Sequence, residues 1–158
     1  MFIGINFKKL IVSLIIPIGM GLLSMWLTNG AMETYATLNQ PPLSPPGLLF
    51  PIVWTILFIL MGTAMYLIWD ADTDSQNKRV ALRLYGIGIA LNFFWTIFFF
   101  NFGLYGFSIL WLILIIIELI LTMYYFYQVK KTAAYLLIPY LLWCLFALYL
   151  NIGVYSLN

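Results

Sequence analysis

Histidine is absent from this 158-residue chain, and there is a single cysteine, Cys144. The side chain that most often ligates metals and haem or shuttles protons is therefore missing. One cysteine excludes an internal disulfide and any multi-cysteine metal site. The sequence also has no phosphate-binding glycine loop, no dinucleotide fingerprint and no Ser/His/Asp set. We therefore predict no metal site, no cofactor, and no hydrolytic or acid–base catalytic set.

Charge is also scarce, because only 8% of the residues are charged while 65% are hydrophobic. Soluble domains have about 25% charged residues, so this chain cannot cover a water-facing surface. The charges are concentrated, and four long stretches carry none: residues 10–32, 34–69, 84–117 and 132–158. A membrane-spanning helix needs roughly 20 apolar residues, so each stretch can hold at least one.

The third uncharged stretch is too long for one helix, and Asn101-Phe102-Gly103 supplies a turn signal near its middle. The predicted fold class is an all-α membrane protein, a five-transmembrane-helix bundle forming a single domain over residues 1–158. The helices are predicted at about 9–28, 46–69, 78–100, 104–128 and 132–156. A cleavable signal peptide is the competing interpretation of the first segment, but its apolar core is longer than the roughly 7–15 residues expected.

The positions of the basic residues predict the orientation. All seven fall at one end of the predicted bundle: Lys8, Lys9, Lys78, Arg79, Arg83, Lys130 and Lys131. Because cytoplasmic loops are enriched in Lys and Arg, we expect a cytoplasmic N-terminus and an outside C-terminus in a multi-pass cell (inner) membrane protein. The net charge of +2 reflects these orientation signals, and no nucleic-acid partner is predicted.

Three predicted helices place aromatic and amide residues at a similar depth. Trp54 and Phe58 share one face of the second helix, and Asn92 and Trp95 share one face of the third. In the fifth helix, we expect Trp143, Ala147 and Asn151 on one face. At about 1.5 Å per residue, Trp54 and Asn92 lie roughly 12 Å below the outer surface and Ala147 about 15 Å, with Trp143 a turn deeper. The pattern is compatible with a ligand pocket in the outer half or with ordinary packing between helices.

Two further features have alternative interpretations. Glu118 is the one acid well inside a predicted span; such a group is either functional, or kept neutral or hydrogen-bonded to a neighbouring hydroxyl. Gly86 and Ala90 form a small-xxx-small pattern that brings helices close together. They favour a homodimer through the third helix, although packing within one chain would use them equally well.

Three motifs in order resemble the TspO/translocator protein family, also called the peripheral benzodiazepine receptor or TspO/MBR family. They are PPGLLFPIVWTILFILMGTAMYLIW in the second helix, ALNFFWTIFFF in the third and YLLIPYLLWCLFALYLN in the fifth. The resemblance covers essentially all of residues 10–156. It implies a five-helix bundle, often dimeric, with a pocket that opens toward the first loop.

The resemblance also implies a ligand class and a set of contacts. Family members bind tetrapyrroles such as protoporphyrin IX and, in animals, cholesterol and synthetic drug ligands. Some bacterial members are reported to degrade porphyrin in light, through tryptophans that match Trp54 and Trp143. The matching ligand-binding positions are Tyr35, Pro45, Trp54, Phe58, Asn92, Trp95, Trp143, Ala147 and Leu150.

The chain departs from the family pattern at the loop between the first two long helices. The family's KPxWxPP reads QPPLSPP here, so that Gln40 replaces the lysine and Leu43 the tryptophan. These changes remove a basic group and an aromatic ring from the predicted pocket mouth. The basic residue that closes the family's sterol motif is also missing after the fifth helix, so we expect weak sterol binding, if any.

The leading functional prediction is a membrane receptor or sensor for a flat, apolar tetrapyrrole. An enzyme that oxidises porphyrin with light and oxygen through Trp54 and Trp143 is the first alternative, and a transporter of the same ligands is the second. The loop over residues 29–45 is predicted to be an outer lid, with irregular backbone from Thr37 to Ser44. Pro45 and Pro46 are expected in the first turn of the second long helix.

Overall fold

The computed structural model of the chain describes residues 4–158, and these residues form helices and no strand. The helices are α1 (Phe7–Leu27), α2 (Ala31–Thr37), α3 (Leu49–Trp69), α4 (Gln76–Thr96), α5 (Tyr105–Val129), α6 (Lys131–Leu136) and α7 (Ile138–Leu157). A π-helical turn, Ile97–Asn101, extends α4. Within residues 4–158, five segments are long and apolar enough to cross a membrane: α1, α3, extended α4, α5, and α6 with α7. The predicted five-helix membrane fold is confirmed.

The two ends of the bundle differ in charge. The basic end holds the start of α1, the end of α3, the start of α4 and the connection from α5 to α6. Asn6 caps α1 by accepting from the Lys9 N–H at 3.1 Å, and its own N–H donates to the Tyr66 hydroxyl at 3.0 Å. Lys9 also pairs with Asp70 at 3.6 Å. The other end, which we call the lid side, carries residues 28–48 and has no Lys or Arg.

Two proline-containing segments differ from the sequence expectation. α3 begins at Leu49, so Pro45 and Pro46 precede the helix and are not in its first turn. Each residue before a proline is kept out of the helical region, and Gly47 then disfavours a helical start. In the fifth span, α6 ends at Leu136 and α7 begins at Ile138. Pro139 has no N–H to continue the ladder across this point, which accounts for the break.

The lid-side loop, expected to be irregular over residues 29–45, contains the short helix α2. α1 ends where Thr28 donates its backbone N–H and its hydroxyl to the carbonyl of Ser24, at 2.9 and 2.7 Å. Gly30 then adopts φ +90°, a conformation that only glycine reaches without strain, and the chain turns directly into α2. The lid is therefore a helix followed by a proline-rich strap, residues 38–46.

Two pairs of long helices make the most extensive contacts: α1 lies along α3, and α4 lies along α5. α6 and α7 also pack on α5, and α3 contacts α6, whereas α3 and α7 meet over only a short stretch. Gly62 makes the α1–α3 contact possible: a Cβ there would lie 2.8 Å from the Ser13 carbonyl oxygen and 2.9 Å from the Leu14 Cα. The α1–α3 contact is close, whereas the α3–α7 contact is sparse. Cavities therefore remain on the α7 side of α3.

Candidate functional site

A narrow internal cavity lies between α3, α4, α5 and α7 in the lid-side half of the bundle. Its volume is about 10 Å³, which is about the room that one water molecule needs. Its walls combine aromatic, aliphatic and small polar side chains: Trp54, Asn92, Trp95, Leu112, Ile115, Tyr140, Cys144 and Ala147. The structure therefore brings together four of the sequence-predicted residues, Trp54, Asn92, Trp95 and Ala147.

The polar groups around the cavity are held by hydrogen bonds between helices. The Asn92 side-chain amide donates to the Tyr140 hydroxyl at 3.0 Å, and the Trp95 indole N–H donates to Asn151 Oδ1 at 3.2 Å. Asn151 in turn donates to the carbonyl of Tyr105 at 3.0 Å. Polar side chains inside a membrane bundle are costly unless they are bonded in this way. The bonds fix α4 and α5 against α7 and orient polar groups at the cavity wall.

The face that α7 turns toward the cavity explains where Trp143 lies. With about 100° per residue, Cys144, Ala147 and Asn151 fall within about 40° of Tyr140 around the helix. Trp143 lies about 60° from Tyr140, on the side away from Cys144. The sequence predicted Trp143 on the same face as Ala147 and Asn151. In the structure Trp143 is outside the cavity wall and borders a separate groove.

That groove lies between α3 and α7 on the surface of the bundle. Its volume is about 390 Å³, and its lining is apolar: Val53, Ile56, Leu57, Pro139, Leu142, Trp143 and Phe146. Trp54, on the cavity side, and Trp143, on the groove side, meet edge to face with ring centroids 6.4 Å apart and planes at 87°. These two rings form the partition between the cavity and the groove.

A row of aromatic rings connects this partition to the lid. The Trp143 ring is 5.8 Å from that of Phe50, which is 5.0 Å from that of Tyr35. Tyr35 is buried beneath the strap, and its hydroxyl donates to the Pro45 carbonyl at 3.1 Å. Burial raises the pKa of the Tyr35 hydroxyl above its usual value, and the Ser44 hydroxyl opposes this in part. Tyr35 therefore remains a neutral donor that ties α2 to the strap.

The strap itself is attached to the lid-side end of α7. The Tyr149 hydroxyl donates to the Pro42 carbonyl at 2.6 Å, and the Pro41 ring packs directly on Gly153, where a Cβ would collide with it. Gln40, which replaces the family's lysine, donates to the carbonyl of Tyr35 at 2.7 Å. Leu43, which replaces the tryptophan, is 85% exposed with φ +68° and does not reach the cavity.

Four of the nine predicted contact residues support the site without lining the cavity or the groove, and Tyr35, described above, is one of them. Phe58 packs on Trp54, with ring centroids 5.4 Å apart, and against Gly21 of α1. Leu150 is buried in α7, and Pro45 is buried as the acceptor for Tyr35. As ligand contacts, all nine residues remain predictions.

Glu118 lies on the basic-end side of the cavity and is not part of its wall. Thr122 donates its hydroxyl to Glu118 Oε1 at 2.8 Å, so a bond to a neighbouring hydroxyl, one of the alternatives that the sequence left open, is present. Among residues 4–158, the ion pairs are Lys9–Asp70 and Arg79–Asp74, so Glu118 makes none there. Its carboxyl group packs against Gly88, where a Cβ would collide with it. Glu118 is therefore part of the α4–α5 contact.

Sequence reasoning missed four wall residues, namely Leu112, Ile115, Tyr140 and Cys144. Tyr140 and Cys144 could have been found, because they continue the Ala147 face at helical spacing. Leu112 and Ile115 lie in an apolar stretch of α5, and an apolar residue there could face either the lipid or the protein interior. Nothing in that sequence marks the side facing the cavity.

Comparison with known proteins gives one consistent result. The family model that matches residues 13–156 describes the TspO/MBR family. The chain is 41% identical to the tryptophan-rich protein TspO of Chlorobaculum tepidum over 78% of each chain. It is 32% identical to the tryptophan-rich sensory protein of Cereibacter sphaeroides over 83% of each chain. It is also 34% identical to the translocator protein of Bos taurus, over 87% of this chain and 83% of the relative.

Proposed function

Because the chain belongs to the TspO/MBR family and is a multi-pass membrane protein, we propose that it is a receptor or sensor for a flat tetrapyrrole such as protoporphyrin IX. The observation that carries this proposal is the meeting of Trp54, Asn92, Trp95 and Tyr140 at one cavity in the lid-side half of the bundle. Aromatic faces with a few hydrogen-bonding groups are what a planar, largely apolar ring needs.

The size of the cavity means that binding requires a change in shape. Pockets for small molecules occupy about 300–1,000 Å³, whereas this cavity measures about 10 Å³. We propose that two parts move: Trp54, whose ring packs beside that of Tyr140, and the strap. Displacement of Trp54 would expose the Asn92 amide and the Tyr140 hydroxyl to the ligand. With no histidine in the chain, a metal-free porphyrin fits these groups better than haem does.

The test is a titration of protoporphyrin IX into protein reconstituted in lipid nanodiscs, followed by porphyrin fluorescence. Trp54→Ala and Asn92→Ala each remove a wall residue, and we expect each to weaken binding by about tenfold or more. Trp69→Phe at the basic end is the matched control and should leave the affinity unchanged. Equal affinity in all four proteins would refute the proposed site. Synthetic ligands of the translocator protein should compete with porphyrin at this site.

A second candidate function is oxidative breakdown of porphyrin in light and oxygen. It is favoured by the edge-to-face contact of Trp54 and Trp143 and by the Trp54 and Tyr140 rings, whose centroids are 6.1 Å apart. These oxidisable rings would lie within reach of an excited porphyrin. Illumination of the complex should then bleach the porphyrin absorbance in the wild-type protein but not in Trp54→Phe. Bleaching at the same rate without protein would remove this candidate.

We further propose that the basic end faces the cytoplasm, as the distribution of Lys and Arg favours, in a cell (inner) membrane. A cysteine introduced in the strap should then react with an impermeant maleimide added to intact cells.

Two chains are proposed to pair through α4, where Gly86 is exposed and a Cβ added to it would have no atom within 4 Å. Gly86→Leu should therefore convert a dimer to a monomer in light scattering.

A further inference from the structure

The groove between α3 and α7 differs from the internal cavity in size, access and chemistry. Its volume of about 390 Å³ falls within the range of small-molecule sites, whereas the cavity has room for one water molecule. Ile56 and Leu142 on its two walls are 54% and 61% exposed. Because both helices cross the membrane, the groove opens sideways toward lipid. A molecule dissolved in the bilayer reaches it without opening the lid.

The two walls of the groove are not alike. The α7 wall presents Pro139 and the rings of Trp143 and Phe146, whose centroids are 5.6 Å apart. The α3 wall presents the branched side chains of Val53, Ile56 and Leu57. A flat ring can stack on the aromatic wall while the aliphatic wall covers its other face. A flexible acyl chain would gain no stacking there.

Trp143, which lines the groove, differs from the tryptophans that join helices because its indole N–H makes no hydrogen bond within the described part of the chain. Trp95 donates to Asn151 and Trp111 donates to the Leu91 carbonyl at 2.8 Å. Among residues 4–158, the indole N–H groups of Trp26, Trp54, Trp69 and Trp143 donate no hydrogen bond, and of these four tryptophans Trp143 lines the groove. In the hydrocarbon region there is no water to take that role, so an unused donor is costly. A ligand with an acceptor at its edge would remove this cost.

We propose that the α3–α7 groove is a membrane-facing binding site for a flat, apolar ring system that carries a carbonyl or carboxyl group at its edge. The ring stacks on the aromatic wall from the lipid side, and its acceptor takes the Trp143 indole N–H. The site lies across the Trp54–Trp143 partition from the internal cavity. The inference rests on the proposed function only for the general class of ligand, since the groove would bind other flat rings of this chemistry.

The experiment uses 1-pyrenebutyric acid, a flat ring with one carboxyl group, titrated into nanodiscs that contain the full chain. Saturable energy transfer from tryptophan to pyrene reports binding. Leu142→Trp fills the groove and should raise the dissociation constant by about tenfold or more. Leu145→Trp adds the same chromophore to α7 outside the groove and should leave it unchanged. If Leu142→Trp does not fold, Ile56→Trp obstructs the groove from the opposite wall.

A second comparison tests the hydrogen bond. Trp143→Phe keeps an aromatic ring and removes the donor, so affinity for 1-pyrenebutyric acid should fall by about threefold to tenfold. Affinity for pyrene, which has no acceptor, should not change. An equal loss for both probes would overturn the assigned bond. Binding that is insensitive to Leu142→Trp and Ile56→Trp would overturn the groove site and leave it as a place for lipid chains.

Parallel titrations with protoporphyrin IX separate the two proposals. If the protein binds 1-pyrenebutyric acid in the groove but does not bind protoporphyrin IX, the groove stands and the proposed tetrapyrrole function fails. If Asn92→Ala weakens porphyrin binding while Leu142→Trp leaves 1-pyrenebutyric acid binding intact, the proposed function stands and the groove site is wrong. A protein that binds neither probe contradicts both.

Discussion

Asn158 and Asn39 pair across the lid side of the bundle. The Asn158 side-chain amide donates to the Asn39 carbonyl at 2.8 Å, and its oxygen accepts the Asn39 backbone N–H at 3.1 Å. The Asn39 side chain adds a bond to the Leu157 carbonyl at 3.1 Å. These three bonds hold the beginning of the strap to the end of α7.

Removal of this pair should loosen the strap. Asn158→Ala eliminates two of the three bonds, and each is worth about 0.5–1.5 kcal/mol net. We expect faster amide hydrogen exchange over residues 38–44 and faster dissociation of bound ligand. Ser156→Ala, which removes a hydroxyl bonded only to the Ile152 carbonyl of the same helix, is the control. Unchanged exchange in Asn158→Ala would show that these two bonds do not hold the strap.

The α1–α3 contact should not tolerate a methyl group at residue 62. Gly62→Ala places a Cβ against backbone atoms of Ser13 and Leu14, which cannot move without shifting α1. Overpacking of this kind costs about 1–3 kcal/mol. Gly19→Ala, on α1 with no atom within 4 Å, should leave the melting temperature unchanged or raise it slightly. Equal melting temperatures for the two variants would contradict the described packing.

The contact between Glu118 and Gly88 can be measured by a double-mutant cycle. Gly88→Ala alone should destabilise the bundle, because its Cβ displaces the Glu118 carboxyl group. In a Glu118→Ala background the same change should cost little, and the two effects should be coupled by about 0.5–3 kcal/mol. Glu118→Gln should fold normally, since its amide oxygen still accepts from Thr122. Additive effects in the cycle would place Glu118 away from Gly88.

The membrane fold follows from features that the sequence displays directly. Uncharged stretches and the turn at Asn101 to Gly103 locate all five spans, because hydrocarbon requires long helices whatever they pack against. The residues at which helices begin or break near proline and glycine are harder to predict. The sequence predicts that Pro45 and Pro46 open α3, yet the turn through Gly47 delays the helix to Leu49. Pro139, expected inside one helix, follows the break between α6 and α7.

The site is partly predictable for a geometric reason. Helix rise alone places Trp54 and Asn92 at the same depth, and the structure brings both to one cavity. Trp143 is expected at the cavity, but its angular position on α7 turns it to the groove. Neither the rotation of a helix nor the gap beside it can be derived from an apolar sequence. The bonds of Asn39 and Asn158 could not be foreseen, because they join residues distant in sequence.

Photo-oxidation can identify the tryptophans that lie nearest to bound porphyrin. The protein is saturated with protoporphyrin IX in nanodiscs, illuminated briefly in air and mapped by peptide mass spectrometry. Short-lived oxidants made by the porphyrin react first with adjacent rings. If porphyrin binds at the proposed site, oxidation should appear first on Trp54 and Trp95, the two tryptophans that line the cavity. Oxidation concentrated on the exposed Trp26 or on Trp69 at the basic end, with Trp54 and Trp95 intact, would contradict porphyrin binding at this site.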